Sequence, residues 1–208
     1  MTTPWIAGAT GLVGRALWAQ LPDAVALVRR PQAGAVVVDY GRPDSFAALP
    51  APSHLFIALG TTMAQAGSQA AFQAVDFDAV LTVARAARDR GATHCGMVSA
   101  LGADARSGVF YTRVKGQAEA AVIALGFERL VIARPSLLDG QRKQLGQPHR
   151  WGEALALRLT RPLAPLIPAR WRPIAADRVA RALRLALDQP GPAVRVLESA
   201  ALRTLGAP

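Results

Sequence analysis

The chain is dominated by one repeating alternation: short, continuous apolar runs separated by segments of helical length. Residues 5–7, 24–28, 35–39, 54–59, 94–99 and 129–133 are the apolar runs. Residues 12–21, 69–90 and 111–125 read as helices, the last two stopped by Gly91 and Gly126. The short segment 44–49 reads as a helical turn. Strands that are apolar along their whole length, and not only at every second residue, belong to sheets buried on both faces. Strand–helix alternation makes such sheets parallel. Beyond residue 135 the rhythm changes. Residues 139–172 are rich in Pro and Arg, with an apolar helical stretch at 151–159; an amphipathic helix at 174–187, a strand at 193–198 and a short helix at 200–205 follow. The expectation is one domain over residues 1–208: a doubly wound α/β fold with a mainly parallel sheet and a small C-terminal lobe, about 139–172, for substrate or interface contacts.

The first strand–helix junction carries Gly8-x-x-Gly11-x-x-Gly14. Glycines at this spacing permit a tight turn and a close backbone approach to a pyrophosphate, which the free N–H groups at the helix start attract. In this context the motif predicts a dinucleotide-binding Rossmann fold. An NAD-binding chain usually ends its second strand in Asp or Glu, which bonds the ribose 2′-hydroxyl. Here that place holds Arg29 and Arg30. Arginine pairs with a 2′-phosphate where a carboxylate would repel it, so the expected cofactor is NADP(H). Asp39, ending the third strand, is a candidate either for the adenine amino group or for capping the next turn. Gly60, after the fourth strand, lets backbone lie along the cofactor.

The chain has two tyrosines and two lysines, and one of each forms Tyr111-x-x-x-Lys115. At i and i+4 both side chains lie on one helical face. Ser99 ends the preceding strand, and strand C-terminal ends form the ligand crevice of a parallel sheet. The three residues fit one chemistry. Tyr111 would exchange a proton with a carbonyl or alcohol oxygen, a cationic Lys115 would favour the phenolate and hold the nicotinamide ribose, and Ser99 would donate to the reacting oxygen. The cofactor would carry the hydride.

The net charge of +10 could attract a polyanion, yet no dense Arg/Lys block and no paired-cysteine zinc pattern accompanies it. Nucleic acid is therefore not expected as a partner; a small carbonyl or alcohol substrate is. His54, His94 and His149 lie far apart without ligand spacing, so no metal site is expected. Glu119, one turn past Lys115, reads as an ion-pair partner on its own helix. The single cysteine, Cys95, excludes an intramolecular disulfide framework and fits a reducing compartment. With no basic n-region at the start, the expected location is cytoplasmic. Residues 142–172, basic and apolar together, leave three roles open: closing a substrate pocket, a homo-oligomer interface, or peripheral contact with a membrane.

In this order, the glycine loop, Gly60-Thr61-Thr62, Val75-Asp76, the Ser99 strand end, Tyr111-x-x-x-Lys115-Gly116-x-x-Glu119 and Arg134-Pro135-Ser136 resemble the short-chain dehydrogenase/reductase superfamily. Among its branches they are most similar to the atypical one containing the Tat-interacting-protein oxidoreductase and its bacterial relatives. The resemblance runs over about residues 4–142. It implies a bacterial protein with cofactor contacts from Thr10, Gly11, Leu12, Val13, Arg29, Arg30, Leu59, Gly60, Tyr111 and Lys115, and, where the pattern loosens, from Leu138 and Arg142. It implies an NADP-dependent oxidoreductase. The alternative is an NADPH-sensing regulatory protein without turnover. A nucleotide-sugar epimerase or dehydratase is a weaker third reading, because the C-terminal lobe is short.

Overall fold

The computed structural model describes residues 3–139 and 172–207. Arg142, His149, the helical stretch at 151–159 and nearly all of the expected lobe lie outside the described residues. Seven strands form one parallel sheet in the order β3-β2-β1-β4-β5-β6-β9. They are β1 (Thr3–Ala7), β2 (Val25–Val28), β3 (Ala35–Val37), β4 (Pro52–Ile57), β5 (His94–Val98), β6 (Arg129–Arg134) and β9 (Val194–Glu198). Two short strands, β7 (Leu138–Asp139) and β8 (Ile174–Ala175), pair apart from this sheet. The helices are α1 (Leu12–Gln20), α2 (Met63–Ala66), α3 (Gln69–Gln73), α4 (Ala79–Asp89), α5 (Phe110–Ile123), α6 (Ala176–Asp188) and α7 (Ser199–Leu205). This is the expected doubly wound fold. The chain moves outward from β1 to β3, then returns to the other side of β1 as β4, so the switch point falls between β1 and β4.

The uninterrupted apolar strands are explained by helices on both faces. Trp5, Leu27, Leu55, Ile57, Met97 and Ile132 point into one core, shared with Val80, Val83 and Val122 of α4 and α5. Ile6, Ala26, Phe56, Val131 and Ala133 alternate with them into the other, closed by Leu17 of α1 and by Val179 and Leu183 of α6. Cys95 is wholly buried in the first core, where burial pushes its thiol pKa up, so it packs as a small hydrophobe.

One sequence reading needs correction. The segment 69–90 is not one α-helix: between α3 and α4, Ala74–Asp78 winds as a π-helix. Such a wide turn adds a residue without ending the helix, and no hydrophobic period shows it. His54 and His94, far apart in sequence, are register partners on β4 and β5, with ring centroids 4.8 Å apart. Burial, then the charge of His94, lower the His54 pKa, with Asp188 opposing.

This pair gives a prediction. A histidine with a lowered folded-state pKa takes up its proton first in the unfolded chain. Stability contributed by neutral His54 is thus full above about pH 6.5 and is lost as pH falls below that value. Urea denaturation at pH 7 and pH 5 should show lower stability at pH 5, and His54→Asn should flatten the difference. An undiminished difference in the variant would remove His54 as its source.

Candidate active site

The crevice begins at the switch point. Gly8 follows β1 with φ +83°, a backbone state that L side chains rarely adopt. A Cβ on Gly8 would lie 2.6 Å from the Ala58 carbonyl oxygen, which follows β4. A Cβ on Gly14 would overlap the Gly8 carbonyl oxygen, so α1 packs on the loop only through a glycine. Gly11 differs: its Cβ would come no nearer than 3.4 Å to any protein atom. The fold itself therefore requires the first and third glycines. Packing does not require the second, which stands at an α1 N-terminus with no side-chain cap. Thr10 is exposed and Leu12 half-buried beside it, while Val13 is buried beneath.

Tyr40 supports this loop, a role its sequence position did not reveal. Its hydroxyl accepts from Gly8 N–H at 3.2 Å and donates to the Leu27 carbonyl at 2.9 Å. Burial pushes its pKa up to about 12, although the Gly8 bond and the Arg29 charge pull the other way. The phenol thus remains a neutral brace between β2 and the glycine loop. Arg29 and Arg30 are exposed at the end of β2, with no carboxylate at that strand end. Asp39 makes the turn cap: its Oδ1 accepts from Gly41 N–H at 2.9 Å.

Ser99 directly follows β5, and its N–H donates to Ala133, extending the sheet pairing by one residue. The residue is buried, and its Oγ has no hydrogen-bond partner among the described residues. Tyr111, half-buried in the first turn of α5, rests on the ring of fully buried Phe72, with centroids 5.5 Å apart. One turn on, Lys115 is buried, and its Nζ lies 2.7 Å from Asp76 Oδ1. Asp76 is fully buried inside the π-helix, and its other oxygen accepts from Thr61 N–H at 2.9 Å. Gly60 lies against this pair: a Cβ there would sit 3.4 Å from Asp76 Oδ1 and 3.5 Å from Lys115 Nζ. Asp76 entered the sequence reading only within the Val75-Asp76 motif, without a role; its pairing with Lys115 joins segments far apart along the chain.

Glu119 is not paired along its own helix. It takes a two-pronged bond from Arg134 of β6, Nε to Oε1 at 3.0 Å and Nη2 to Oε2 at 2.6 Å. Arg134 also reaches Glu198 at 3.3 Å. The longer arginine fork crosses from the neighbouring strand, while Lys115 is committed to Asp76. Leu138 stands half-buried in β7, beyond the end of β6.

No family model matches the chain. Among curated proteins, it is 35% identical over 219 residues to "Protein FMP52, mitochondrial" of Eremothecium gossypii, covering 96% of this chain and 95% of that protein. It is 36% identical to the protein of the same name from Coccidioides immitis, over 69% of each chain. A stretch of 95 residues is 50% identical to the Emericella nidulans protein, where the match spans 41% of that relative's length. The fold is shared with UDP-N-acetylglucosamine 4-epimerase from Bacillus cereus, at TM-score 0.71 and 13% identity over 95% of this chain and 79% of that one. It is also shared with RMD from Pseudomonas aeruginosa complexed with NADPH, at TM-score 0.64 and 20% identity over 99% and 80%.

These relatives correct the expectation of a bacterial, cytoplasmic protein, for they are fungal and named mitochondrial. The cytoplasmic expectation rested on the missing basic n-region and on the single cysteine; a lone buried cysteine shows only that no internal disulfide holds the fold and does not distinguish one reducing compartment from another.

The three glycines should separate in a stability assay. Gly14→Ala forces overlap with backbone and should lower stability by about 1–3 kcal/mol. Gly11→Ala should leave the melting temperature close to that of the parent. Equal melting temperatures for both variants would contradict the packing described.

Proposed function

We propose that this chain, which belongs to the FMP52 family, is an NADP(H)-dependent oxidoreductase that interconverts a carbonyl and an alcohol on a small-molecule substrate. The observation carrying this reading is the grouping at the C-terminal edge of the sheet. A buried Ser99 hydroxyl without a partner among the described residues follows β5, and Tyr111 and the buried Lys115 lie in the first turns of the next helix. The order of motifs that resembles the Tat-interacting-protein oxidoreductase branch supports the same reading.

The residues fit a nicotinamide dinucleotide. Gly11 is not required by packing, and the uncapped start of α1 beside it would offer N–H groups to a pyrophosphate. In this reading Thr10, Leu12, Val13, Leu59 and Leu138 border the cofactor. Arg29 and Arg30 would hold the 2′-phosphate; no carboxylate at that strand end opposes it. Lys115 would bind the nicotinamide ribose hydroxyls.

When bound, the cofactor supplies or accepts the hydride. The chain's own residues handle the proton. Ser99 Oγ, with no partner among the described residues, donates to the substrate oxygen. Tyr111 Oη gives a proton to that oxygen during reduction and takes it back during oxidation. Phe72 holds the Tyr111 ring in place.

Two outcomes test this. Arg29→Ala with Arg30→Ala should weaken NADPH about 10- to 100-fold and NADH far less, measured by fluorescence titration; equal losses would defeat the 2′-phosphate assignment. Tyr111→Phe should keep NADPH affinity and cut turnover of a screened aldehyde or ketone about 10²- to 10⁴-fold. Unchanged turnover would remove Tyr111 from the mechanism. Cofactor binding without turnover of any screened carbonyl would favour the regulatory alternative.

A further inference from the structure

We infer that the substrate of this site is an apolar carbonyl compound: an aldehyde or ketone on a hydrocarbon body, recognised through its oxygen and otherwise by apolar contact. The inference rests on the oxidoreductase reading above and names the substrate class within it.

Among the described residues, the exposed large apolar side chains fall into separate groups. Val36, Val37, Val194 and Val196 lie on the two edge strands, and Ile123 ends α5. The others stand over the C-terminal ends of three adjacent strands. Met63 follows β4, Val109 lies between β5 and α5, and Leu137 follows β6; they are 37%, 63% and 68% exposed. Each is tied to the site. Met63 comes three residues after Gly60, where a Cβ would lie 3.5 Å from Lys115 Nζ. Val109 comes two residues before Tyr111, and Phe110 between them packs at 5.8 Å on Phe72, the ring that also carries Tyr111. The loop to Leu137 runs beside the one from Ser99: Ser99 N–H donates to Ala133, and Leu101 N–H to Pro135 at 3.0 Å. A single exposed leucine or valine means little. Three on the loops around the same two hydroxyls offer an apolar ligand a surface.

The polar side chains of these loops are largely committed within the protein. Thr62 and Ser68 cap α2 and α3, accepting from Gln65 N–H at 3.2 Å and Ala71 N–H at 3.1 Å. Ser107 Oγ and Thr112 Oγ1 share a bond of 2.7 Å, and Arg113 Nη1 donates to the Ser107 and Gly108 carbonyls. Ser136 Oγ donates to the Arg172 carbonyl and meets Ser199 Oγ at 3.0 Å. Arg106 extends into solvent, its side chain 94% exposed. A sugar or polyol must exchange the water on its hydroxyls for protein donors and acceptors, and against such loops they stay unpaired. A hydrocarbon loses nothing there. The one polar demand of a carbonyl falls on Ser99 and Tyr111. In reduction the carbonyl carbon accepts a hydride from NADPH and the oxygen takes the Tyr111 proton. The products are the alcohol and NADP+, and the phenolate regains its proton from solvent.

The test pairs turnover with binding. NADPH oxidation is followed with straight-chain aldehydes from propanal to octanal and with glyceraldehyde. The matching alcohols, 1-propanol to 1-octanol, and glycerol are titrated by calorimetry into the protein supplied with NADP+. Both kcat/KM and alcohol affinity should rise about two- to fourfold per added methylene until the apolar surface is covered, with glyceraldehyde no better than propanal. Val109→Ser and Leu137→Ser, at exposed positions where folding tolerates a polar side chain, should each lower the octanal-to-propanal ratio about threefold. A flat or falling series, a preference for glyceraldehyde, or unchanged ratios in both variants would overturn the inference and leave the oxidoreductase reading standing. Alcohols bound with the expected rise but no aldehyde turned over would keep the apolar ligand and defeat the oxidoreductase reading. Neither turnover nor binding would defeat both.

Discussion

At the switch point, the backbones leaving β1 and β4 come so close that a methyl group on Gly8 would lie 2.6 Å from the Ala58 carbonyl oxygen. That contact, with the seating of Gly14 on Gly8, sets the direction in which α1 leaves the sheet. It also opens the crevice on one side, since the chain winds outward in opposite directions from β1 and β4. Tyr40 braces the same loop from beneath through two hydrogen bonds made by one hydroxyl. The second glycine of the motif is then free of packing duty. A motif usually described as three equivalent glycines is here two structural residues and one that packing does not require.

The second organising feature is the pair of buried ionic contacts along α5. Lys115 pairs with Asp76, and one turn later Glu119 pairs with Arg134. They anchor the helix on two sides, toward the π-helix and toward β6. With both charges matched across elements, α5 has little freedom to rotate, and Tyr111 at its start inherits that constraint. The ring of Phe72, from the helix just before the π-helix, completes the support.

Family membership and shared fold answer different questions. Identity of 35% across nearly the whole length places the chain among the FMP52 proteins. The likeness to an epimerase and to a reductase, at 13% and 20% identity, speaks for the fold alone. A superfold hosts many reactions, so the reaction is argued from Ser99, Tyr111 and Lys115 and not from the neighbours' names.

By itself the sequence determined the architecture. Continuous apolar strands alternating with helices leave few arrangements other than a parallel sheet covered on both faces, and the spacing of Gly8, Gly11 and Gly14 fixed where its crevice lies. The Tyr111–Lys115 spacing was equally legible, because i to i+4 geometry is local. What the sequence could not decide were contacts between segments distant along the chain. His54 against His94, Tyr40 beneath Gly8, Glu119 with Arg134 and Asp76 with Lys115 all join residues whose separation carries no period. The π-helix was hidden for a related reason: one extra residue in a turn shifts which side chain faces inward without altering composition. Only the tertiary structure decided which buried acid meets which buried base, because burial of a charge is tolerated only where packing delivers a partner of opposite sign.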